Sequence, residues 1–368
     1  DDLQHHHAKL AQTAAATPPL SALMAAPSSD GAVDKKVDVV ELDGMVVLKI
    51  IKHCQEALPS FVTGQLLGLD IGRTLEVTNC FPFPNKNEDA AAPAAGTEAE
   101  DGDEDGAEYQ MHMMQCLREV NVDNNTVGWY QSTYFSSFID DSCIDTQFNY
   151  QENIKNCVVI IYDPSRTRTT GLALRAFRLT DTFMALYKEG KFTFDSLAGA
   201  HMSNTDVFQE LTLKVRNSHL SSALLLELQD ECGINANAAD FSRLELHTNP
   251  FLEKQMQLLI ECVDDLQQES NKLQHFDRNL QRQKSAQQQY VLKKKQEAQI
   301  RLMRGEDPLP EEELSSNPLF KPIPQPSRLE SLLIANQMDA YCQQVNQFTG
   351  QSFAKLFLMQ SLNSGKAQ

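Results

Sequence analysis

Leucine recurs at every seventh position in the second half of this 368-residue chain, and this repeat predicts a long α-helix. The repeat is Leu252, Leu259, Leu266, Leu273 and Leu280. We call these five residues the leucine seam. Met256 and Val263 flank its first part, whereas Ser270 and Asp277 stand at the later flanking positions and predict a weaker contact there. Since a helix of this length rarely folds alone, the seam needs a partner, either another chain or an antiparallel helix predicted over residues 217–233.

Positive charge is concentrated on the same predicted helix, after the first part of the seam. Between Lys272 and Arg304, the cations are opposed only by Asp277 and Glu297. Three consecutive cations are Lys293, Lys294 and Lys295. Two interpretations are open: a solvated helix face, or a contact with RNA or the ribosome, because clustered cations bind phosphates.

The end of the chain is too apolar for an isolated helix. Prolines recur through residues 306–327 and predict an extended strap. The helical segment that follows carries large apolar residues on all sides, which indicates burial among several helices. We therefore expect residues 219–368 to form an all-helical assembly region. Its predicted partner-binding residues are Leu252, Leu259, Leu266, Leu273, Leu332, Leu333, Phe353 and Phe357.

Residues 37–218 have the pattern of one α/β domain. Apolar residues at helical spacing predict a helix over residues 45–58, and a second helix is predicted over 108–120. Residues 62–84 predict two strands joined by a turn. An apolar run over 157–165, stopped by Asp-Pro, is typical of an interior strand. The expected fold is a mixed sheet flanked by helices.

Two segments contain too few large apolar residues to pack into a core. Residues 1–36 are rich in Ala, Pro, Ser and Thr and predict a flexible arm. Residues 86–107 combine Ala with closely spaced Asp and Glu, whose mutual repulsion predicts a mobile acidic insertion.

Composition narrows the class of protein. The net charge of −18 argues against a protein that simply coats nucleic acid. The eight cysteines form no C-x-x-C pair, so we expect buried thiols in a reducing compartment. No apolar run approaches the length of a membrane span, and the chain does not open like a signal peptide. These features predict a cytoplasmic protein without membrane contact.

The segment VGWYQSTYFSSFIDDSCID, residues 127–145, resembles the metal-binding segment of the JAMM/MPN+ metalloprotease family. In that family the strand ends in VGWYHSHP, a Ser and an Asp follow, the two His and the Asp bind zinc, and an upstream Glu transfers the proton. Here the His positions hold Gln131 and Thr133, the Glu position holds Phe61, the Ser position falls on Asp141, and the Asp position falls on Ile144 or, with a one-residue slip, on Asp145.

These replacements remove the chemistry of the motif. Zinc needs about four N, S or O ligands, and neutral Gln and Thr are poor ones. Without the ion nothing lowers the pKa of a bound water, and Phe61 has no proton to transfer. We expect no cofactor, no metal and no catalysis. The alternative is a deubiquitinase-type metalloprotease with an unorthodox site, which would require ligands from elsewhere in the chain.

Five segments extend the resemblance to the h-subunit family of eukaryotic translation initiation factor 3. They are DGMVVLKIIKHC, LEVTNCFPFPN, VGWYQSTYFSSF, DPLPEEELS and SLLIANQMDAYCQ. They are spread over nearly the whole length outside the arm and the insertion. The resemblance implies an MPN domain without the metal motif, followed by C-terminal helices that join a bundle with other subunits.

The same resemblance implies a function and partners. The chain is expected to be a non-catalytic scaffold subunit of the factor, supporting mRNA recruitment and initiation on the small ribosomal subunit. Its α/β domain is expected to pair with another MPN domain, that of subunit f.

Overall fold

The computed structural model describes residues 36–84, 102–203, 205–231, 250–304 and 320–364. Nearly all of the predicted arm, most of the predicted acidic insertion and the first part of the predicted strap lie outside these ranges. The described end of the strap, residues 321–327, contains no helix or strand. No helix within the described ranges is both long enough and apolar enough to cross a membrane.

Seven strands form a closed barrel in the order β1-β3-β2-β4-β5-β6-β7. The strands are β1 Val39–Asp43, β2 Thr63–Ile71, β3 Thr74–Pro82, β4 Thr126–Ser132, β5 Val158–Tyr162, β6 Leu174–Leu179 and β7 Phe208–Arg216. The β1–β3, β1–β7 and β4–β5 pairs are parallel, and the other pairs are antiparallel. The predicted mixed sheet is therefore confirmed, but it closes on itself because β1 pairs with strands on both sides.

Helices cover the barrel and continue beyond it. They are α1 Gly44–Glu56, α2 Gly102–Glu119, α3 Asp141–Asn153, α4 Pro164–Thr170, α5 Asp181–Glu189, α6 Phe194–Gly199, α7 His219–Glu231, α8 Pro250–Arg304 and α9 Leu329–Ser364. The prediction of two strands joined by a turn is confirmed by β2 and β3. In that turn Gly72 adopts a φ of 69°, which a residue with a Cβ rarely adopts.

Alternating side chains of the strands divide the apolar residues between two cores. On β4, Tyr130 joins the core beneath α1, whereas its neighbour Trp129 joins the core beneath α3. A third core lies around Phe183 on α5 and includes Leu332 and Leu333 from α9. The first turns of α9 are therefore part of the hydrophobic interior of the α/β domain, although 110 or more residues separate them in sequence from β7.

Two predicted helix boundaries differ from the structure, and further elements were not predicted. Helix α2 begins at Gly102, so residues 102–107 of the predicted acidic insertion are helical. The sequence predicts a short helix over residues 146–154, whereas α3 begins five residues earlier, at Asp141. The elements α4, α5, α6 and β7 were not predicted from the sequence.

Helices α8 and α9 pack together as an antiparallel pair, which we call the hairpin. Lys272 on α8 forms an ion pair with Glu330 near the start of α9, at 3.4 Å. Farther along α8, the side chain of Gln283 donates to the backbone of Lys321, at 2.6 Å. The antiparallel partner of the leucine seam is therefore α9, and not the helix predicted over 217–233. That helix, α7, leaves Leu220 83% exposed.

The residues of α8 that accompany the leucine seam on the face toward α9 are not the predicted ones. The sequence predicted Met256 and Val263 beside the seam, but these side chains are 43% and 45% exposed. Gln255 is buried instead, and Cys262 is partly buried. In a heptad, the second contact position lies either three or four residues after the first. Because Met256 is apolar, the sequence favours the position four residues after Leu252, whereas the structure buries Gln255, three residues after it.

Candidate functional site

The degenerate metal motif lies where β4 ends beside β5. Gln131 pairs with Thr63 on β2 and with Ile161 on β5, so it is held by neighbours on both sides. The backbone of Thr133 donates to the carbonyl of Tyr162, at 2.9 Å. Residues 133–140 then connect β4 to α3, and we call them the β4 loop.

The residues at the His and Glu positions make structural contacts. Thr133 is 1% exposed, and its hydroxyl donates to the carbonyl of Ser137, at 2.9 Å. The Phe61 ring packs against Tyr134 with a centroid separation of 5.3 Å. Gln131 is partly buried within the barrel. None of these side chains is an anionic or imidazole ligand, so the residues present do not fit a catalytic zinc.

The residues at the Ser and Asp positions of the motif lie in three different surroundings. Asp141 is exposed at the first turn of α3, and its pKa is raised by partial loss of hydration and by the carboxylates of Asp140 and Asp145. Ile144 is buried in the third core, and Asp145 accepts a hydrogen bond from the hydroxyl of Tyr187. Across the described ranges, no three His, Cys, Asp or Glu side chains are grouped closely enough to hold a metal ion.

Buried thiols in the α/β domain are equally unsuited to nucleophilic chemistry. Burial raises the pKa of Cys54, Cys80, Cys143 and Cys157 to about 12 each. Because the thiolate is the reactive form, these groups are unreactive thiols at neutral pH.

A buried aspartate that is not among the predicted site residues holds the β4 loop. Asp163 is 3% exposed, and its Oδ2 accepts from the backbone of Ser136 at 2.9 Å and from its hydroxyl at 3.2 Å. Its Oδ1 accepts from the backbone of Ser165, at 2.9 Å, and thereby caps α4. The backbone of Phe135 donates to the hydroxyl of Ser165, at 3.2 Å. An Asp-Pro pair after an apolar strand is a helix N-cap signal as well as a strand end, and it could have identified this residue.

The hairpin contacts the other side of the β4 loop. Gln337 donates to the carbonyl of Ser136, at 2.8 Å, and accepts from the backbone of Ile139, at 3.2 Å. Gln255 donates to the carbonyl of Phe135, at 3.1 Å. The Phe251 ring packs on Phe135 with a centroid separation of 5.4 Å. Both glutamines are buried in the structure, and no signal in the sequence separates them from the many other glutamines of these two helices.

The structure divides the predicted partner-binding residues into two sets. The seam leucines Leu252, Leu259, Leu266 and Leu273 are partly buried within the hairpin. Leu332 and Leu333 are each 5% exposed in the third core. Phe353 and Phe357 are 58% and 69% exposed. Only the last two are accessible without separating elements of the chain itself.

The lysines of the predicted cationic segment also fall into two groups. Lys293 and Lys295 are exposed on α8, whereas the ammonium of Lys294 lies over the Tyr290 ring, 5.4 Å from its centroid. Lys272 pairs with Glu269 and Glu330, which raise its pKa. Lys272 and Lys294 are therefore engaged within the chain, and Lys293 and Lys295 point to solvent.

Two family models match the chain. The first, described as the C-terminal region of eIF3h, matches residues 167–368. The second, described as JAB1/Mov34/MPN/PAD-1 ubiquitin protease, matches residues 35–156. The MPN match covers the barrel strands that carry the degenerate motif, in agreement with the predicted fold class.

Curated relatives match over nearly their full lengths. A protein of Arabidopsis thaliana is 51% identical over 336 residues, which are 91% of this chain and 96% of the relative. Proteins of Nematostella vectensis and Dictyostelium discoideum are 47% and 43% identical over 92% and 89% of this chain, and over 98% and 96% of their own lengths. All three are named as the H subunit of eukaryotic translation initiation factor 3. With this identity along both the MPN barrel and the C-terminal helices, the chain belongs to the H-subunit family of eukaryotic translation initiation factor 3.

Proposed function

We propose that this protein is a non-catalytic scaffold subunit of the cytoplasmic initiation factor 3 complex. In this role it supports mRNA recruitment and initiation on the small ribosomal subunit. The observation that carries the proposal is the degenerate metal motif: at the His and Glu positions of the related metalloproteases, this chain has Gln131, Thr133 and Phe61, which make structural contacts. The names of the relatives support the same function.

The absence of catalysis is tested on the purified full-length chain. Metal content is measured by mass spectrometry, and cleavage of ubiquitin chains is measured in parallel. We expect no stoichiometric zinc and no cleavage. Zinc bound at one equivalent, together with cleavage of ubiquitin chains, would support the alternative, a deubiquitinase-type metalloprotease with an unorthodox site.

Assembly through the C-terminal helices is supported by their exposed apolar residues. The last turns of α9 expose Phe353, Phe357 and Leu362, and α7 exposes Leu220 and Leu226. Large apolar side chains at this density are typical of surfaces that are covered in a complex. We infer that other subunits of the factor cover them in a helical bundle. A tagged full-length chain should therefore co-purify with the other subunits and with the small ribosomal subunit, and recovery of the chain alone would contradict the proposal.

Pairing with a second MPN domain, that of subunit f, is supported by the outer face of α1. Its Met45 and Leu48 are each 58% exposed, while Val46, Val47 and Ile50 on the opposite face are buried. Met111 on α2 is 45% exposed. In the full-length chain, Met45→Glu with Leu48→Glu should abolish binding of subunit f in a pull-down. Leu172→Glu, which changes an exposed leucine elsewhere on the domain, is the matched control.

A further inference from the structure

Two consecutive residues of the β4 loop adopt the left-handed conformation without being glycine. Phe135 has a φ of 57° and Ser136 a φ of 56°. In this region the Cβ crowds the following carbonyl, so residues with side chains stay there only when surrounding contacts over-determine the conformation. The loop therefore needs contacts that hold it in place.

Those contacts come from two opposite sides. On the barrel side, Ser165 and Asp163 accept from the backbone N–H groups of Phe135 and Ser136. On the hairpin side, Gln255 and Gln337 donate to the carbonyls of the same two residues. Each left-handed residue is thus bound through its N–H by the α/β domain and through its C=O by a glutamine, one from α8 and the other from α9.

The surface of the hairpin around these glutamines is incompletely paired. Five buried side-chain atoms in the described part of the chain have no hydrogen-bond partner there, and four of them lie on the hairpin. They are Gln255 Oε1, Asn336 Nδ2, Gln344 Nε2 and Gln344 Oε1. An unpaired buried amide weakens the packing of the helices that bury it, relative to an apolar side chain of similar shape. The hydrogen bonds from the hairpin to the loop are therefore specific. The unpaired amides weaken the packing around them, so the hairpin can separate from the loop.

We propose that the hairpin is a releasable latch on the β4 loop. While α8 and α9 are docked, Gln255 and Gln337 hold Phe135 and Ser136 in the left-handed turn. When a partner bound to the exposed end of α9 draws Gln255 and Gln337 off the loop, while Leu332 and Leu333 stay in the third core, the turn relaxes and the surface at the degenerate metal motif changes shape. This coupling goes beyond a scaffold role, because it links what is bound at the C-terminal helices to the conformation of the barrel surface.

Hydrogen exchange at single-residue resolution tests the latch on the full-length chain. Gln337→Leu removes the two hydrogen bonds that Gln337 makes with the loop and keeps a similar side-chain volume. We expect the backbone amides of Phe135 and Ser136 to exchange about tenfold faster or more, although their own partners, Ser165 and Asp163, are unchanged. Faster exchange confined to Ile139, whose amide donates directly to Gln337, would overturn the proposal.

A matched control separates the latch from a general effect on α9. Gln343→Leu alters an exposed glutamine on the same helix, whose side chain donates only to Asp339 one turn earlier. It should leave the exchange of Phe135 and Ser136 unchanged, and an acceleration equal to that of Gln337→Leu would contradict the latch. Emission from Trp129, the single tryptophan, reports whether the core beneath α3 is intact in each variant. If Gln337→Leu does not fold, Gln255→Leu tests the same step through the bond to Phe135.

A substitution that is expected to strengthen the docking of the hairpin tests whether the unpaired amides weaken it. Gln344 is 5% exposed and neither atom of its amide has a hydrogen-bond partner in the described chain. Gln344→Leu removes these unpaired groups and should slow the exchange of Phe135 and Ser136 by about fivefold. Exchange as fast as in the unmodified protein, or faster, would show that the unpaired amides do not weaken the latch.

Reciprocity provides the last arm of the test. Ser165→Ala removes the partner of the Phe135 amide on the barrel side. If loop and hairpin are coupled, loosening the loop must also loosen the hairpin, since coupling free energies act equally in both directions. Amides of α9 between residues 336 and 345 should then exchange faster, and unchanged protection there would overturn the coupling.

Discussion

The two halves of α9 have similar apolar content and opposite surroundings. Leu332 and Leu333, near its start, are each 5% exposed and pack in the third core with Phe183 and Phe192. Phe353 and Phe357, near its end, are 58% and 69% exposed. In the register set by the ion pair of Lys272 with Glu330, residues after about 352 extend beyond the first turn of α8.

The apolar residues of α9 therefore predict that the helix is covered, but not whether its own chain or another chain covers it. The first half of α9 completes the interior of its own α/β domain, and the backbone of Arg328 is tied to that domain through the carbonyl of Phe192, at 2.9 Å. The second half contacts the domain at its start, where Arg166 donates to Gln347 at 2.7 Å, but its later rings Phe353 and Phe357 stay exposed. A single helix therefore forms part of the core at one end and exposes large apolar side chains, the proposed assembly surface, at the other.

The largest effect should come from breaking the buried half. Leu332→Asp with Leu333→Asp places two charges in an apolar core and leaves cavities, so the free energy of unfolding should fall by more than about 4 kcal/mol. Urea denaturation followed by Trp129 fluorescence measures the change. The contrast between the two halves would be wrong if the double variant unfolded at the same urea concentration as the unmodified chain.

The exposed half should respond in binding and not in stability. Phe353→Asp with Phe357→Asp should change the free energy of unfolding by no more than about 0.5 kcal/mol, because both rings are exposed in the free chain. Each buried aromatic contributes roughly 1.5–3 kcal/mol at an interface, so affinity for the other subunits should fall at least about 100-fold. Unaltered co-purification with those subunits would place the assembly surface elsewhere.

Most of the α/β domain could be predicted from the sequence, because its elements have strong local patterns. The five buried residues of β5 are all apolar, and Asp163-Pro164 ends that strand as predicted. Closure of the barrel could not be predicted in the same way. It depends on the pairing of Val39–Asp43 with Phe208–Arg216, two segments far apart in sequence, and β7 exposes most of its residues, which weakens its apolar pattern.

The candidate site was predictable in its chemistry and not in its contacts. Comparison of Gln131, Thr133 and Phe61 with the metalloprotease motif identifies the missing ligands from residue types alone. The contacts of Gln337 with Ser136 and Ile139 join residues about 200 positions apart, and no local pattern encodes them. In the sequence these glutamines are ordinary polar helix positions, and only the packing of α9 on the loop distinguishes them.

A smaller effect extends the contrast to the two faces of α8. Leu266 is partly buried on the face toward α9, whereas Val263 is 45% exposed on another face. Leu266→Ala should lower the free energy of unfolding by about 1–2 kcal/mol, less than for a fully buried leucine, and Val263→Ala should change it by no more than about 0.5 kcal/mol. Thermal denaturation of the two variants side by side measures the difference. Equal losses would mean that the hairpin does not use the face that contains the leucine seam.

The smallest effect concerns the cations of α8, where the contrast is between side chains engaged within the chain and side chains open to solvent. Lys293→Gln with Lys295→Gln removes two exposed cations, and Lys294 is left in place because it lies over Tyr290. Gln preserves the helix propensity of the segment.

If these two cations lie against phosphate, they displace counterions, and the affinity they add must fall as salt rises. The double variant should bind the small ribosomal subunit up to about tenfold more weakly at low salt, with a log–log salt slope reduced by about 1 to 2. A control pair, Lys188→Gln with Lys214→Gln, changes the net charge equally on the α/β domain, where both side chains are exposed. Because long-range attraction depends on net charge while counterion release depends on contact, identical salt titrations for the two pairs would assign Lys293 and Lys295 to a solvated helix face.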